Sequence, residues 1–144
     1  MATCTSEKKR FFDWLAKPLA QMALDLRTTQ RLMLTMAAHE GGWSTKSLNH
    51  NQPLNNPFGV NRTHKGVAVG NVQYPSLDAA VRYWKDQYGP RVQGKTDAAS
   101  FVFALQHPKP GQGQPYNSVN PGYSDDFVDV YESMGRYMAA CGIG

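Results

Sequence analysis

Leu32-Met33-Leu34-Thr35-Met36-Ala37-Ala38-His39-Glu40-Gly41-Gly42-Trp43 is a mostly apolar run that delivers one carboxylate to a glycine break followed by tryptophan. Bulky apolar residues at 32, 33 and 36, with small Ala37, recur at helical spacing, so the stretch reads as a helix buried along most of its length. A carboxyl at the end of such a helix, opening onto a cleft, has apolar neighbours that disfavour its charged form, and it holds its proton near neutral pH. That is the state a general acid needs. The competing reading is a solvated Glu in a last turn before a glycine cap. Gly41 and Gly42 end the helix, and Trp43 is expected to pack back against its end as a wall of the site.

Working outward, the flanking sequence reads as a helical body. Residues 6 to 26 form a helix with Phe11, Phe12, Trp14, Leu15, Leu19, Met22 and Leu26 on a broad apolar face, bent or split at Pro18. Thr28-Thr29-Gln30 offers an N-cap for the central helix, 29 to 40. From Ser44 to Gln73 the pattern dissolves into Asn, Gly, Pro and Ser without a long periodic element, and a short hairpin fits around Val67-Ala68-Val69. Ser76 caps a helix over 77 to 89, a short helix covers 97 to 106, a polar loop runs from 107 to 123, and a last helix spans 124 to 140. The architecture expected is one domain, 1–144, mainly α, whose lobe at about 44–75 forms a cleft with the end of the central helix at its hinge.

Length and composition agree with that. The chain has 144 residues, enough for one hydrophobic core, and its 18% of charged residues with 13 Gly and 9 Pro suit a loop-rich globular protein and not a disordered one. Its net charge is +4, and residues 46 to 95 carry seven Lys or Arg against Asp78 and Asp86, while Asp125, Asp126, Asp129 and Glu132 make the last helix acidic. A basic middle suits an anionic polymer, though its usual meaning is solubility. Met1 to Arg10 has no apolar core behind its charges, and no stretch approaches the roughly 18 apolar residues of a membrane span, so neither a signal peptide nor membrane insertion is expected. Cys4 and Cys141 are expected as two free, partly buried thiols. The alternative, a bridge closing nearly the whole chain, would stabilise it by about 4 to 5 kcal/mol on the chain-entropy model.

Four stretches, in order, resemble the glucosaminidase branch of the lysozyme superfamily, the bacterial peptidoglycan hydrolases of glycoside hydrolase family 73. The family's Ala-Ala, then Leu or similar, then Glu-Ser-Gly-Trp-Gly is similar to Ala37-Ala38-His39-Glu40-Gly41-Gly42-Trp43-Ser44. Its Asn-Asn-Leu-Phe-Gly-Ile-Lys is similar to Asn55-Asn56-Pro57-Phe58-Gly59-Val60-Asn61. An aromatic-x-Ser before the next helix looks like Tyr74-Pro75-Ser76, and Tyr-Ala-Thr-Asp-Pro-x-Tyr is similar to Tyr116-Asn117-Ser118, one extra residue, then Asn120-Pro121-Gly122-Tyr123. The resemblance covers roughly residues 30 to 130.

It implies a lysozyme-like fold and cleavage of the β-1,4 bond between N-acetylglucosamine and N-acetylmuramic acid, with Glu40 as acid, glycan strands as partner and no cofactor. A glycosidic oxygen is a poor leaving group, so its departure needs a proton. Tyr116 and Asp125 are the candidates to assist Glu40. Trp43, Asn55, Phe58, Asn117 and Tyr123 are the candidates to hold substrate, the aromatic faces by stacking and the amides by hydrogen bonding. The competing reading has Phe58-Gly59 fixing the lobe and Asn55 and Asn56 capping turns.

The chain also departs from the family. Glycosidases usually employ two carboxylates, yet from Gly41 to Leu77 there is no Asp or Glu, and the family's Asp before Pro is Asn120 here. Three routes stay open: attack by the substrate's own N-acetyl oxygen, help from Asp125 or Asp126, or slow work with one acid, as in goose-type lysozymes and lytic transglycosylases.

Other classes fit less well. His39-Glu40-Gly41-Gly42-Trp43 begins like a zinc protease motif but has Trp where the second His must stand, so no metal site is expected. Neither cysteine sits where a peptidase nucleophile would, and no nucleic-acid recognition motif appears. The alternatives kept are a muramidase or lytic transglycosylase, as in a phage endolysin, and a lysozyme-like protein that grips glycan without cutting it. With no export sequence, the expected biology is a small antibacterial toxin such as a type VI secretion effector, passed by a leaderless route to a target periplasm, with a cognate immunity protein plugging its cleft.

Overall fold

The computed structural model describes residues 2–116 and 122–144. In chain order, the described residues form α1 (Ser6–Leu26), α2 (Gln30–Gly41), α3 (Thr45–Leu54), β1 (Asn61–His64), β2 (Val67–Asn71), α4 (Leu77–Val92), α5 (Ala98–Gln106) and α6 (Tyr123–Cys141). α2 is the axle. Thr29 caps it by accepting the amide of Leu32, and Leu32 through Ala38 are all buried, because α1 and α6 both pack on it. Each large apolar side chain so enclosed contributes about 1.5–3 kcal/mol. Thr35, fully buried in the same run, donates its hydroxyl to the Arg31 carbonyl at 2.7 Å, which removes the cost of burying it.

Around the axle, α1 also packs on α4, and α5 joins α4 to α6. Of the expected bend or split at Pro18 the split does not occur: α1 continues from Ser6 to Leu26 and ends on Arg27 in the left-handed region (φ 56°). α4 likewise runs three residues beyond its expected end at 89, with Gly89 and Pro90 inside it. The two strands make an antiparallel hairpin, Asn61 opposite Asn71 and His64 opposite Val67, irregular between Arg62 and Thr63.

Two expectations are corrected. The supposedly irregular lobe opens with α3, which Ser44 caps by accepting the amide of Ser47 at 3.1 Å. This helix buries only Leu48 and Asn51 and therefore leaves no apolar period in the sequence. Cys4 and Cys141 are not free: they form a disulfide, with Cα atoms 4.9 Å apart across a separation of 137 residues. The start of α1 and the end of α6 lie side by side because both helices pack on α2.

Candidate active site

Glu40 stands in the last turn of α2, half-buried, where the helical body meets the lobe. Two glycines make the junction. A side chain on Gly41 would overlap the Pro57 carbonyl, and one on Gly59, whose φ is 61°, would come within 2.6 Å of the Glu40 carbonyl oxygen. The backbones of helix end and lobe thus touch directly, with no side chain between them. The Asn51 amide donates to the Gly41 carbonyl at 2.6 Å, satisfying one of the carbonyls that a helix C-terminus leaves open.

The Tyr123 hydroxyl donates to Glu40 Oε1 at 2.5 Å. Burial pushes the Glu40 carboxyl above its ordinary range, the Tyr123 bond draws it partly back, and no cation contributes. Tyr123 is 1% exposed, at the first residue of α6, with its ring edge-on to His39 at 4.8 Å. Its own hydroxyl is pushed far up, by burial first and then by the neighbouring carboxylate. His39 is held below its usual value by burial, opposed by the charge of Asp126, so it stays neutral beside the acid. Tyr116 is tilted against Tyr123 with ring centres 6.0 Å apart and meets Tyr88 edge-on at 4.9 Å. Burial, with Glu40 next, pushes its hydroxyl up as well. The acid therefore has a wall of neutral aromatic hydroxyls on the body side.

On the lobe side a cleft of about 580 Å³ opens, lined by Glu40, Lys46, Ser47, His50, Asn51, Asn61 and Asn71, with Gly41 and Gly59. Among the described residues Glu40 is its sole carboxylate. The His50 ring nitrogen Nε2 lies 2.7 Å from Asn71 Oδ1, and Asn71 Nδ2 donates to Asn61 Oδ1 at 2.9 Å and to the Gly59 carbonyl at 3.3 Å. Among the described residues no group of three or more His, Cys, Asp or Glu side chains comes together to hold a metal ion.

The structure brings Glu40, Tyr116 and Tyr123 together and puts the other expected residues elsewhere. Trp43 is no wall of the cleft: it packs edge-on against Phe11 at 5.6 Å and Tyr137 at 5.3 Å, beneath the Lys8 ammonium at 4.2 Å. Phe58 is 2% exposed and stacked on Trp84 at 5.3 Å, a core contact that leaves no face for a sugar. Asn55 is the left-handed cap of α3 (φ 52°), its amide given to the Tyr74 carbonyl at 3.1 Å. Its neighbour Asn56, fully buried, staples the lobe through the carbonyls of Val60 and Val72, each at 2.9 Å.

Asp125 is exposed in the first turn of α6, where it opposes the helix dipole. Two residues along a helix turn a side chain by about 200°, so Asp125 faces away from the Tyr123 that touches Glu40. Tyr123 itself serves the acid and is too buried to offer substrate a face. Asn117, like Asn120, lies outside the described residues. The cleft residues that sequence reasoning missed are Asn61 and Asn71 on the hairpin and, on α3, Lys46, Ser47, His50 and Asn51. The spacing of the α3 residues, 46, 47, 50, 51, is the polar face of a helix, the signal that would have exposed those four.

No family profile matches the sequence, and no curated protein is significantly similar to it. Solved structures do match. A peptidoglycan hydrolase from Sphingomonas sp. A1 aligns over 92% of this chain and 94% of its own at 24% identity, with a TM-score of 0.70. A type VI secretion system effector-immunity complex from Pseudomonas protegens aligns over 94% and 97% at 19% identity, also at 0.70. The glycoside hydrolase domain of FlgJ from Salmonella typhimurium covers 90% and 98% at 20% identity, with 0.62. The chain has their fold. It is a mainly α, lysozyme-like fold: a helical body and a small lobe carrying a two-stranded hairpin. In this lysozyme-like frame Glu40 occupies the seam between body and lobe, half-buried at the edge of the cleft.

Proposed function

We propose that the protein is a peptidoglycan hydrolase that cuts the β-1,4 glycan backbone as an N-acetylglucosaminidase, with Glu40 as general acid. The observation that carries this is the carboxyl itself, half-buried at the rim of an open cleft, raised by burial and held by Tyr123. Protonated Glu40 gives its proton to the glycosidic oxygen as the bond to the anomeric carbon breaks, then takes a proton back from the incoming water. Tyr123 fixes the carboxyl, and Tyr116 closes the body side of the sugar site.

Because Glu40 is the sole carboxylate lining the cleft among the described residues, the route favoured is one in which the substrate's N-acetyl oxygen attacks the anomeric carbon. Incubation with purified sacculi and borohydride reduction of the products tests this. New reducing ends on N-acetylglucosamine are expected. Ends on muramic acid would make it a muramidase, anhydro-muramic acid a transglycosylase, and no new ends a glycan binder. Glu40→Gln is expected to fold normally and release nothing; undiminished release would remove the proposal.

The biological reading is an antibacterial toxin acting in a target periplasm, countered by an immunity protein that fills the cleft. What supports it is the likeness to a chain of a type VI secretion system effector-immunity complex, together with the Cys4–Cys141 bond, which persists in an oxidising compartment and not in a reducing cytosol. Expression with an added leader is expected to lyse cells that tolerate the leaderless protein; lysis by the leaderless protein would contradict it.

A further inference from the structure

Away from Glu40, a cavity of about 530 Å³ lies between the C-terminal end of α4 and α5. Phe103 lines it and is 62% exposed, although α5 faces the core through Phe101, Val102 and Leu105. Packing therefore does not require an aromatic at 103. One face of its ring is stacked on His107, with centres 3.9 Å apart and planes 16° from parallel. His107 is fixed there by donating Nδ1–H to the Phe103 carbonyl at 3.0 Å. The result is a rigid aromatic platform.

The charge around that platform has one sign. Lys95, Lys109 and Arg91 line the cavity, and no acid does among the described residues. Arg91 is 7% exposed and spends its terminal nitrogens on the carbonyls of Leu105, Gln112 and Gln114, so its positive charge is held in place without a carboxylate to cancel it. Lys95 and Lys109 make no ion pair among the described residues. Asp97 feels Lys95 but accepts the amide of Ser100 at 2.8 Å as the cap of α5. Cations gathered at a concave, partly apolar site attract an anion and hold it where an apolar face is also offered.

We propose that this cavity is an accessory binding site for an anionic saccharide, a sugar ring lying on Phe103 with its carboxylate between Lys95 and Lys109. The choice of a carboxylate-bearing glycan rests on the proposed activity, since muramic acid where it carries no peptide, and the peptides where they are attached, supply such groups along the strand. A phosphate-bearing polymer shares the chemistry, and the test separates the two.

The experiment compares full-length Glu40→Gln protein with the same protein also carrying Phe103→Ser, Lys95→Gln and Lys109→Gln, in co-sedimentation with purified sacculi. Losing two exposed ion contacts and one ring contact should weaken binding by about tenfold and flatten its dependence on salt. Soluble carboxylate-bearing muropeptides should compete with sacculi, while neutral chitooligosaccharides and inorganic phosphate should not. With Glu40 intact, the triple variant should cleave a short soluble fragment at the parent's rate. Equal binding of sacculi, competition by phosphate alone, or loss of short-fragment cleavage would each overturn the proposal. Cleavage by Glu40→Gln would instead count against the proposed activity, so the two failures are distinguishable.

Discussion

Replacing Tyr123 by Phe removes one hydroxyl and little else. The ring keeps its contacts with His39 and Phe127, and the position is 1% exposed, so the fold should hold. What is lost is the donor 2.5 Å from Glu40 Oε1. A hydrogen bond to a charged acceptor is worth about 1.5–3 kcal/mol. The Tyr123 bond opposes the upward push of burial, so without it the carboxyl rises further. The general acid then stays protonated to higher pH. The falling limb of kcat/KM against pH, measured on soluble peptidoglycan fragments, should move to higher pH, while the plateau drops because the carboxyl is less firmly aimed. A falling limb that stays put, or moves to lower pH, would refute the assignment of Tyr123 to the Glu40 proton.

Glu40→Gln should stabilise the protein above the ordinary carboxyl pKa. A folded-state pKa raised by burial makes the native form bind the proton more tightly, so stability falls as pH rises from the unfolded to the folded pKa and stays lower beyond it, by about 1.4 kcal/mol per unit. Urea unfolding of the two proteins should therefore diverge at pH 7 and coincide near pH 3. Reducing Cys4–Cys141, or changing both to Ser, should cost about 4 to 5 kcal/mol, read as a thermal midpoint that reductant lowers in the parent and leaves alone in the variant. Phe58→Ala should cost about 3–5 kcal/mol, because the ring is core; a stable variant with only a raised KM would restore Phe58 to the substrate site.

The helical body was legible because its signal is redundant. α1 and α6 show apolar faces several turns long, and α2 announces itself by a run of buried side chains that ends at glycine. α3 was not legible, since two buried residues in ten leave no period. The motif residues misled for a physical reason. Trp43 and Phe58 border Glu40 and Gly59 in sequence, but a large aromatic next to a tight backbone junction is more useful as the wedge that holds the junction than as a free face. Cys4 and Cys141 are 137 residues apart, and no local pattern reports that two terminal helices share a third as neighbour.

The same division assigns the chemistry. The lobe is rich in amides, yet Asn51, Asn55 and Asn56 give theirs to the carbonyls of Gly41, Tyr74, Val60 and Val72. These bonds satisfy a backbone that a short hairpin and one small helix leave largely unpaired, which is why the lobe can be polar and still hold one shape. Side chains committed in that way cannot also turn toward a sugar. In the proposed mechanism the acid and its hydrogen-bond partner come instead from the end of α2 and the start of α6, where Glu40, Tyr123 and Tyr116 meet, while Lys46, Ser47 and His50 line the lobe side of the cleft. The lobe then contributes position: through Gly41 and Gly59 it sets the far wall of the cleft against the acid at backbone contact distance.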